Sequence, residues 1–444
     1  RALAYLTSYS MLLAFNTYIA ELFTDGSDNR AAPSRTFTQW MGARTELYTL
    51  FRNISFQSSD VSLLEAPLGG PASAAPRDGQ ILSRGSIMKS DHFPGCQRKG
   101  LLPVLVGAPN YRKAKGTTVH GVAMPTLIGI QNVLDHLGTL AGKAKVVWIN
   151  LREEPVLFIN SRPFVLRTIN SPFTNLVYTG IDAHRVEEME AKLKEDVLRE
   201  AWANNGEFLL HDESDTMQVI PMKEAVTEAT VLTPREAYRS LRAAGYDVEY
   251  FRLPVTDEQT PEEKDFDDFV KIVGNAPEGA HIVLNCQMGR GRTTTGMITA
   301  IMIRSELTAV TAESVQPFPA MERNSSYVFA QGEYRIIRHL MRVLEKGTYY
   351  KHIVDTIIDQ CSVMQNIREA IEQLKLTAED MSLSADKRDH ANTRGVNYLV
   401  RYFFLIVFAA YLLEQRPRGF PMAFEDWVQA RKELYSLLEN VKLK

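Results

Sequence analysis

Residues 281–296 read His281-Ile-Val-Leu-Asn-Cys286-Gln-Met-Gly289-Arg-Gly291-Arg-Thr-Thr-Thr-Gly296. The apolar run before Cys286 predicts a short buried strand, and the apolar run after the loop predicts a helix. Gly289 and Gly291 allow the intervening loop backbone angles that a side chain would forbid. Loop amides and the positive end of the helix then converge on one point, which stabilises an anion or a thiolate at Cys286. The stretch predicts a strand, loop and helix built around an anion site.

Length and composition describe a globular chain with more than one structural unit. It has 444 residues and a formal net charge of -3 at pH 7, so two or three units are expected. An anion site must therefore come from local clustering of charge, and no nucleic-acid partner is expected. The three cysteines, at positions 96, 286 and 361, give neither a disulfide framework nor a metal-ligand spacing. We expect a reducing, cytoplasmic location and no metal or cofactor.

The most apolar run of the chain is residues 402–413, next to Arg401. It is shorter than a bilayer span requires, so we expect a buried core helix and no transmembrane segment. The chain begins at Arg1 with neither an initiator methionine nor a signal-peptide pattern. We therefore expect its native start to lie upstream.

The two ends of the chain repeat each other. Arg394-Gly-Val-Asn-Tyr-Leu echoes Arg1-Ala-Leu-Ala-Tyr-Leu, and residues 424–435 echo residues 37–48 with Phe, Trp, Ala, Arg, Glu, Leu and Tyr in matching places. The offset is 393 in the first block and 387 in the second, so the first copy has the longer loop. Repetition of this kind indicates a tandem array in which residues 1–64 are the helical tail of a preceding repeat. The alternative is a helical pair duplicated within one compact domain.

The remaining chain divides by composition and periodicity. Residues 65–83 are rich in Pro, Gly and small side chains and are interpreted as a linker. Residues 84–390 are interpreted as the catalytic domain and residues 391–444 as its own helical tail. Strand patterns alternate with helical patterns, one of which opens on a capping box from Thr233 to Glu236. This alternation predicts an α/β fold with a largely parallel central sheet flanked by helices.

Cys286 and Arg292 have a Cys-x5-Arg spacing that suits phosphate chemistry. A thiolate at Cys286 can attack a phosphate monoester held by the loop amides and by the fork of Arg292. The leaving alkoxide needs a proton, and Asp257 follows the preceding strand, so a parallel sheet would bring both to one edge. Thr293 could face the sulfur and assist hydrolysis of the phosphocysteine. The competing acids are Asp265, Asp267 and Asp268.

Five segments of the chain together carry a family resemblance. They are residues 285–294 (NCQMGRGRTT), 89–97 (KSDHFPGCQ), 107–112 (GAPNYR), 147–155 (VWINLREEP) and 254–258 (PVTDE). This combination resembles the paladin family of tandem-repeat proteins, which is akin to the protein-tyrosine-phosphatase-like (PTP-like) inositol phosphatases that include the cysteine phytases. The resemblance covers residues 84 to 444.

The resemblance implies a cysteine-phosphatase fold, a phosphocysteine intermediate, no metal, and inositol polyphosphates or phosphoinositides as substrates. Carried over by position, Cys286 is the nucleophile, Arg292 the phosphate clamp and Asp257 the general acid. Arg152 matches a family Leu-Arg-x-Glu pattern near the rim of the site. The expected substrate-binding residues are Gln287, Met288, Gly289, Arg290 and Gly291 in the loop, with Lys89, His92 and Arg152 at the rim.

Two positions depart from the family pattern. Asn285 replaces the usual histidine before the nucleophile, and Glu258 replaces the histidine that commonly follows the general acid in cysteine phytases. Two alternatives to an inositol phosphatase therefore stay open. One is a pseudophosphatase that binds phosphoinositides or phosphoproteins without turnover, and the other is a phosphotyrosine or dual-specificity phosphatase.

Overall fold

A computed structural model describes residues 2–24, 36–42, 44, 47, 77–92, 100–140, 142–216, 218–305, 329, 331–439 and 441–443. The predictions for Cys96 and for most of the linker lie outside these residues. The described part is an α/β structure in which two sheets are packed among helices. The predicted fold class is confirmed.

The central sheet has five strands, and it is parallel apart from one edge. Its strands are β2 (Arg112–Lys113), β3 (Val119–Val122), β4 (Val146–Asn150), β10 (Val248–Arg252) and β11 (His281–Asn285), in the order β10-β4-β11-β3-β2. Only the β2–β3 pair is antiparallel. Because β4 and the last four residues of β11 are buried on both faces, their side chains read as continuous apolar runs.

The sequence predicts one hairpin, from residues 156–158 and 162–167, and the structure places it in a second, mixed sheet of six strands. It consists of β1 (Ser86–Ser90), β5 (Val156–Ile159), β6 (Arg162–Thr168), β7 (Glu207–Glu213), β8 (Val219–Ala225) and β9 (Val231–Leu232), in the order β8-β7-β1-β6-β5-β9. The predicted hairpin is the β5–β6 pair. The β1–β7 contact joins residues 122 positions apart, Lys89 and His211, so local patterns could not reveal it.

Helices pack on both faces of the central sheet, against the second sheet and in the two tails. In chain order they are α1 (Ala2–Thr24), α2 (Phe37–Gly42), α3 (Leu127–His136), α4 (Ala183–Ala203), α5 (Pro234–Ala243), α6 (Glu263–Gly274), α7 (Gly291–Arg304), α8 (Arg335–Val343), α9 (Gly347–Cys361), α10 (Ile367–Glu379), α11 (Ala385–Gln415), α12 (Phe424–Gln429) and α13 (Lys432–Leu438). The predicted capping box at Thr233 and Glu236 opens α5. Val147 and Ile149 pack into the core around α7 and α11, whereas Val146 and Trp148 pack into the core around α3 and α5.

Helix α11 forms the centre of the larger core. Leu399, Tyr402, Leu405 and Phe408 are fully buried in it. Together with the turn after it, Ala385–Arg418 is the one helical stretch among the described residues with the length and apolarity to cross a membrane, and 78% of its apolar window is buried within the protein. The prediction of a core helix is confirmed.

The two tails have the same internal geometry. In the first, the Arg44 guanidinium lies 4.0 Å from the Trp40 ring centroid and 2.8 Å from a Glu21 carboxylate oxygen. The corresponding distances in the second are 3.6 Å for Arg431 to Trp427 and 2.9 Å for Arg431 to Glu414. The aromatic pairs agree as well, with ring centroids 5.2 Å apart for both Phe15–Phe37 and Phe408–Phe424. The repeated sequence therefore folds into one repeated motif.

The surroundings of the two motifs differ. The α11 side chains Tyr398, Leu399, Tyr402 and Leu405 are at most 5% exposed. Their counterparts in α1 are exposed, at 74% for Tyr5, 50% for Leu6, 61% for Tyr9 and 66% for Leu12. Among the described residues, this apolar helix face is thus buried in the second copy and exposed in the first.

Two assigned boundaries differ from the structure. Residues 77–83 were assigned to the linker, but Arg77 is buried and pairs with Glu200 at 3.1 Å, so the domain begins at or before residue 77. The boundary at 390/391 falls inside α11. The tail after it is integral to the core of the domain, because α11 is packed against α9 and α10.

Candidate active site

Three loops that carry charged residues meet at the carboxyl edge of the central sheet. Cys286 follows β11, Glu153 and Glu154 follow β4, and Asp257 follows β10. Strands β10, β4 and β11 are adjacent and parallel, so their carboxyl ends lie side by side. The structure thus brings the predicted acid to the same edge as the predicted nucleophile, with two glutamates between them.

The Cys286 loop, residues 286–292, is fastened to the segment that follows β3. Its Gln287 carbonyl accepts from the Met124 amide at 2.9 Å, and its Met288 carbonyl accepts from Asn110 Nδ2 at 2.9 Å. Gly289 has φ +67°, and a Cβ there would lie 2.6 Å from the Ala123 nitrogen. No other residue fits this position without moving the backbone. The loop is therefore pre-formed, and α7 begins immediately behind it at Gly291.

Arg292 is buried and held in place by Glu154. Its Nη1 and Nη2 donate to the two Glu154 carboxylate oxygens, each at 3.3 Å, and Nη1 also donates to the Val255 carbonyl at 3.2 Å. Burial alone would lower the pKa of Arg292, but Asp257, Glu154 and Cys286 raise it well above its ordinary value. The guanidinium is thus charged and oriented beside the thiol.

Asp257 contacts the same guanidinium from the other side. Its Oδ1 lies 3.3 Å from Arg292 Nε, and its Oδ2 accepts from Asn175 Nδ2 at 2.8 Å. Its side chain is 37% exposed, which leaves it access to a bound substrate. Asp257 is therefore a partly exposed carboxylate that adjoins the Cys286 loop.

The three competing aspartates form hydrogen bonds or ion pairs with groups outside the Cys286 loop. Asp265 accepts from the Glu262 amide as part of the α6 cap, Asp267 accepts from the amides of Phe424 and Glu425, and Asp268 pairs with Lys271. Of the four candidate aspartates, Asp257 is therefore the one that contacts Arg292 in the Cys286 loop.

A buried ionic network supports both loops. Arg152 pairs with Asp91 and with Glu154 Oε2, the latter at 2.6 Å, and Asp91 accepts from Gln287 Nε2 at 2.9 Å. Burial alone would raise the pKa of Glu154, but Arg152 and Arg292 hold it below its ordinary value. Buried charges persist only when they are paired and hydrogen-bonded. Arg152, expected at the rim, instead lies fully buried as a link between Asp91 and Glu154.

Two residues lie behind the Cys286 loop. The Thr293 hydroxyl is fully buried and has no hydrogen-bond partner among the described residues, so it is available to a group bound in the loop. Arg112 Nη2 donates to Thr294 Oγ1 at 3.0 Å. Burial lowers the pKa of Arg112 to about 10, and the nearby Cys286 opposes that shift. Arg112 and Arg292 are thus two buried guanidinium groups near the Cys286 thiol.

The expected rim residues are placed differently from one another. Lys89 is buried and pairs with Glu213 at 2.7 Å, so its charge is balanced within the second sheet. His92 Nδ1 lies 3.5 Å from the Met124 carbonyl, next to the segment that holds Gln287. Burial lowers the pKa of His92. Arg290 is half-buried and precedes α7 directly. His92 therefore lies next to the loop, and Arg290 is part of it.

The chain is similar to known proteins in sequence. The model of the PTP-like phytase family, described as inositol hexakisphosphate, matches residues 149–304. The chain is 30% identical over 353 residues to paladin of Danio rerio, covering 75% of this chain and 40% of that protein. It is 26% identical over 462 aligned positions to paladin of Homo sapiens. This alignment covers 99% of this chain and 47% of that protein. The chain is a paladin-like, PTP-like protein. It spans less than half the length of these paladin relatives.

Solved structures also match this paladin-like chain. The tandemly repeated PTP-like phytase of Mitsuokella multacida is 16% identical, with a TM-score of 0.49 over 78% of this chain and 48% of that one. The PTP-like myo-inositol phosphatase of the same organism, in complex with myo-inositol-(1,3,4,5)-tetrakisphosphate, is 16% identical. The TM-score is 0.47, and the match covers 90% of this chain and 58% of that one.

The two departures from the family pattern have structural explanations. Asn285 is directed away from Cys286, because its Oδ1 accepts from Trp148 Nε1 at 2.9 Å and its Nδ2 lies 3.3 Å from Asn150 Oδ1. It ties β11 to β4. Glu258 pairs with Arg394 at 2.7 Å. Its negative charge is therefore partly balanced, and it repels an anionic substrate less than the sequence alone suggests.

Glu153 supports the backbone next to Asp257. Its carboxylate accepts from the amides of Asp257 and Tyr178, at 3.2 and 3.1 Å, and from Thr256 Oγ1 at 3.2 Å. Burial and the neighbouring Glu154 raise the pKa of Glu153 from 4.5 to about 8. Below that pH this carboxyl holds a proton next to the acid loop, defined here as residues 256–262.

Glu153→Gln is expected to change the pH dependence of stability. Between pH 4.5 and about 8, native Glu153 keeps a proton that the unfolded chain has released, so it lowers the free energy of unfolding as pH rises. The slope from one such group is at most about 1.4 kcal/mol per pH unit. Glutamine does not ionise, so the variant should lack this component. Urea unfolding at several pH values in this window measures the difference, and a constant gap between the two proteins would contradict the expectation.

Sequence reasoning missed three functional contacts. The sequence places Glu154 shortly after a buried strand but does not indicate that it holds Arg292. Asn175 and Asp91 carried no signal, because their partners lie 82 and 61 positions away. The double glutamate directly after a buried strand was the one available sign of a buried network.

Proposed function

We propose that this chain is a cysteine-dependent phosphatase that hydrolyses phosphate monoesters of inositol polyphosphates or phosphoinositides. The observation that carries the proposal is the meeting of Cys286, Arg292 and Asp257 at one edge of the sheet, with Arg292 charged and oriented by Glu154. The family match over residues 149–304, described as inositol hexakisphosphate, supports the substrate class.

The proposed reaction has two steps. The Cys286 thiolate attacks phosphorus, which forms an S–P bond and breaks the P–O bond of the ester, and Asp257 gives its proton to the leaving alkoxide. Water then attacks the phosphocysteine, Asp257 takes a proton from that water, and phosphate and the thiolate are released. Arg292 and the loop amides stabilise the equatorial oxygens in both steps. The buried Thr293 hydroxyl is proposed to aid the second step.

A binding module is the second candidate, because Arg292 is already engaged. Glu154, the Val255 carbonyl and Asp257 surround the guanidinium, so a phosphate must displace at least the contact with Asp257 before it is clamped. If that displacement positions the acid poorly, the site binds a phosphorylated ligand without turnover.

A panel of substrates tests the proposal. Phosphate release is measured from inositol hexakisphosphate, inositol tetrakisphosphates, phosphoinositide vesicles and a phosphotyrosine peptide, with and without orthovanadate. We expect vanadate-sensitive release that is fastest with an inositol-based substrate. Faster release from the peptide would instead identify a protein phosphatase. Calorimetric binding of inositol phosphates without any release would identify the binding module.

We also propose that residues 1–64 belong to a preceding repeat. Its support is the repeated motif, whose apolar face is buried in the second copy and exposed in the first. The preceding repeat would cover that face of α1. A cytoplasmic location remains part of the proposal, because an unpaired nucleophilic thiol requires a reducing compartment.

A further inference from the structure

Helix α11 contacts both loops of the candidate site from behind. The Asn397 carbonyl accepts from Thr260 Oγ1 in the acid loop at 3.1 Å. The Tyr398 hydroxyl lies at the start of α7, where a Cβ on Gly291 would be 3.0 Å from it. One helix of the repeated tail therefore touches the acid loop and the end of the Cys286 loop together.

Arg401 is the charged side chain at this junction. It is 1% exposed, its Nη2 donates to the Gln259 carbonyl in the acid loop, and its guanidinium lies 4.5 Å from the Tyr398 ring centroid. Its Nη1 would be 3.4 Å from a Cβ on Gly291. The guanidinium thus lies between the backbone just after Asp257 and the backbone just before Arg292.

The chemistry of Arg401 is unusual for a buried cation. Buried Arg152, Arg252 and Arg292 each pair with a carboxylate, which is how a buried charge is normally stabilised. The described residues supply no carboxylate to Arg401. Arg401 contacts the Gln259 carbonyl and the Tyr398 ring. Its Nε and Nη1 have no hydrogen-bond partner among the described residues. A structural ion pair therefore does not account for an arginine here.

The first tail shows that the motif does not need this arginine. Ser8 occupies the position of Arg401, whereas Tyr5 and Tyr9 match Tyr398 and Tyr402. The aromatic and Glu–Arg geometry of the motif is the same in both copies. The geometry of the motif itself therefore does not account for the arginine at position 401.

We propose that Arg401 is a positioning residue that braces the acid loop through Gln259 and so holds Asp257 against the Cys286 loop. The inference rests on the proposed phosphatase function, in which Asp257 protonates the leaving group. It predicts that the tail after residue 390 contributes to catalysis as well as to the core.

Arg401→Met tests the proposal, since methionine fills similar apolar volume but cannot donate to Gln259. An alkyl ester such as an inositol phosphate needs the acid, whereas a nitrophenyl phosphate has a good leaving group and does not. We expect kcat to fall about tenfold on the alkyl ester, with KM and the nitrophenyl rate changed less than about twofold. Arg401→Lys keeps one donor and should recover part of the loss. Arg388→Met, on a partly exposed turn of the same helix, is the matched control.

Amide hydrogen exchange measures whether Arg401 stabilises the acid loop, independently of the reaction rate. Amides of residues 256–262 should exchange faster in Arg401→Met than in the unaltered chain and in Arg388→Met. Unchanged exchange, or an equal loss of rate on both esters, would overturn the proposal. If the unaltered chain releases no phosphate, the proposed function fails, and the exchange of residues 256–262 still decides whether Arg401 braces the loop.

Discussion

Cys286→Ser is expected to abolish phosphate release while leaving phosphate binding intact. A serine hydroxyl is a far weaker nucleophile than a cysteine sulfur at neutral pH, so the rate should fall by about 10⁴-fold or more. The amides of the Cys286 loop and the Arg292 fork are unchanged. An inositol phosphate should therefore still bind with an affinity close to that of the unaltered chain.

Cys361→Ser provides the matched control. Cys361 is the other cysteine among the described residues, it is buried in α9, and burial raises its pKa to about 12. Its thiol is therefore inert, and the substitution should leave phosphate release within about twofold of the unaltered rate. Equal release by the Cys286→Ser protein and the unaltered chain would show that another group is the nucleophile, and the proposed mechanism would be withdrawn.

Asp257→Asn is expected to have the second largest effect, and one that depends on the leaving group. An amide cannot protonate the departing alkoxide, so turnover of inositol phosphates should fall by about 10²–10⁴-fold. A nitrophenyl phosphate leaves without protonation, so its first step should be affected far less. The measurement is the ratio of the two kcat values, together with the acidic and basic limbs of the pH profile.

Asp268→Asn is the control for this change, because Asp268 is an exposed α6 residue that pairs with Lys271. It should leave both rates unaltered. If Asp257→Asn slows both esters equally, the carboxylate orients Arg292 through their 3.3 Å contact and is not the proton donor. That result would redirect the search for an acid to Glu153.

Local patterns were sufficient to predict the central sheet and its edge. The strands before Cys286 and Asp257 are short apolar runs, and helices separate them, so a parallel arrangement followed from alternation alone. Once the strands are parallel, residues that follow them meet at one edge whatever their separation in sequence. This explains why Cys286 and Asp257 could be paired in advance although they lie 29 positions apart.

The side-chain network could not be predicted in the same way. Lys89 has the appearance of a loop cation in the sequence, yet it pairs with Glu213 across 124 positions because β1 and β7 are neighbours in the second sheet. That sheet gave little signal, since β8 alternates weakly and is largely exposed. Arg152 was assigned to the rim for a similar reason. Its burial depends on Asp91, which approaches from a different sheet.

The burial of α11 limits where this polypeptide can be divided. Its side chains fill the space between α7, α9 and α10, so a fragment that stops at residue 390 would lose the middle of its larger core along with the brace on the acid loop. A fragment that begins shortly before residue 77 and runs to residue 443 keeps every described element of the domain and omits the exposed apolar face of α1. That stretch is the smallest piece from which a soluble, folded catalytic unit should be obtainable.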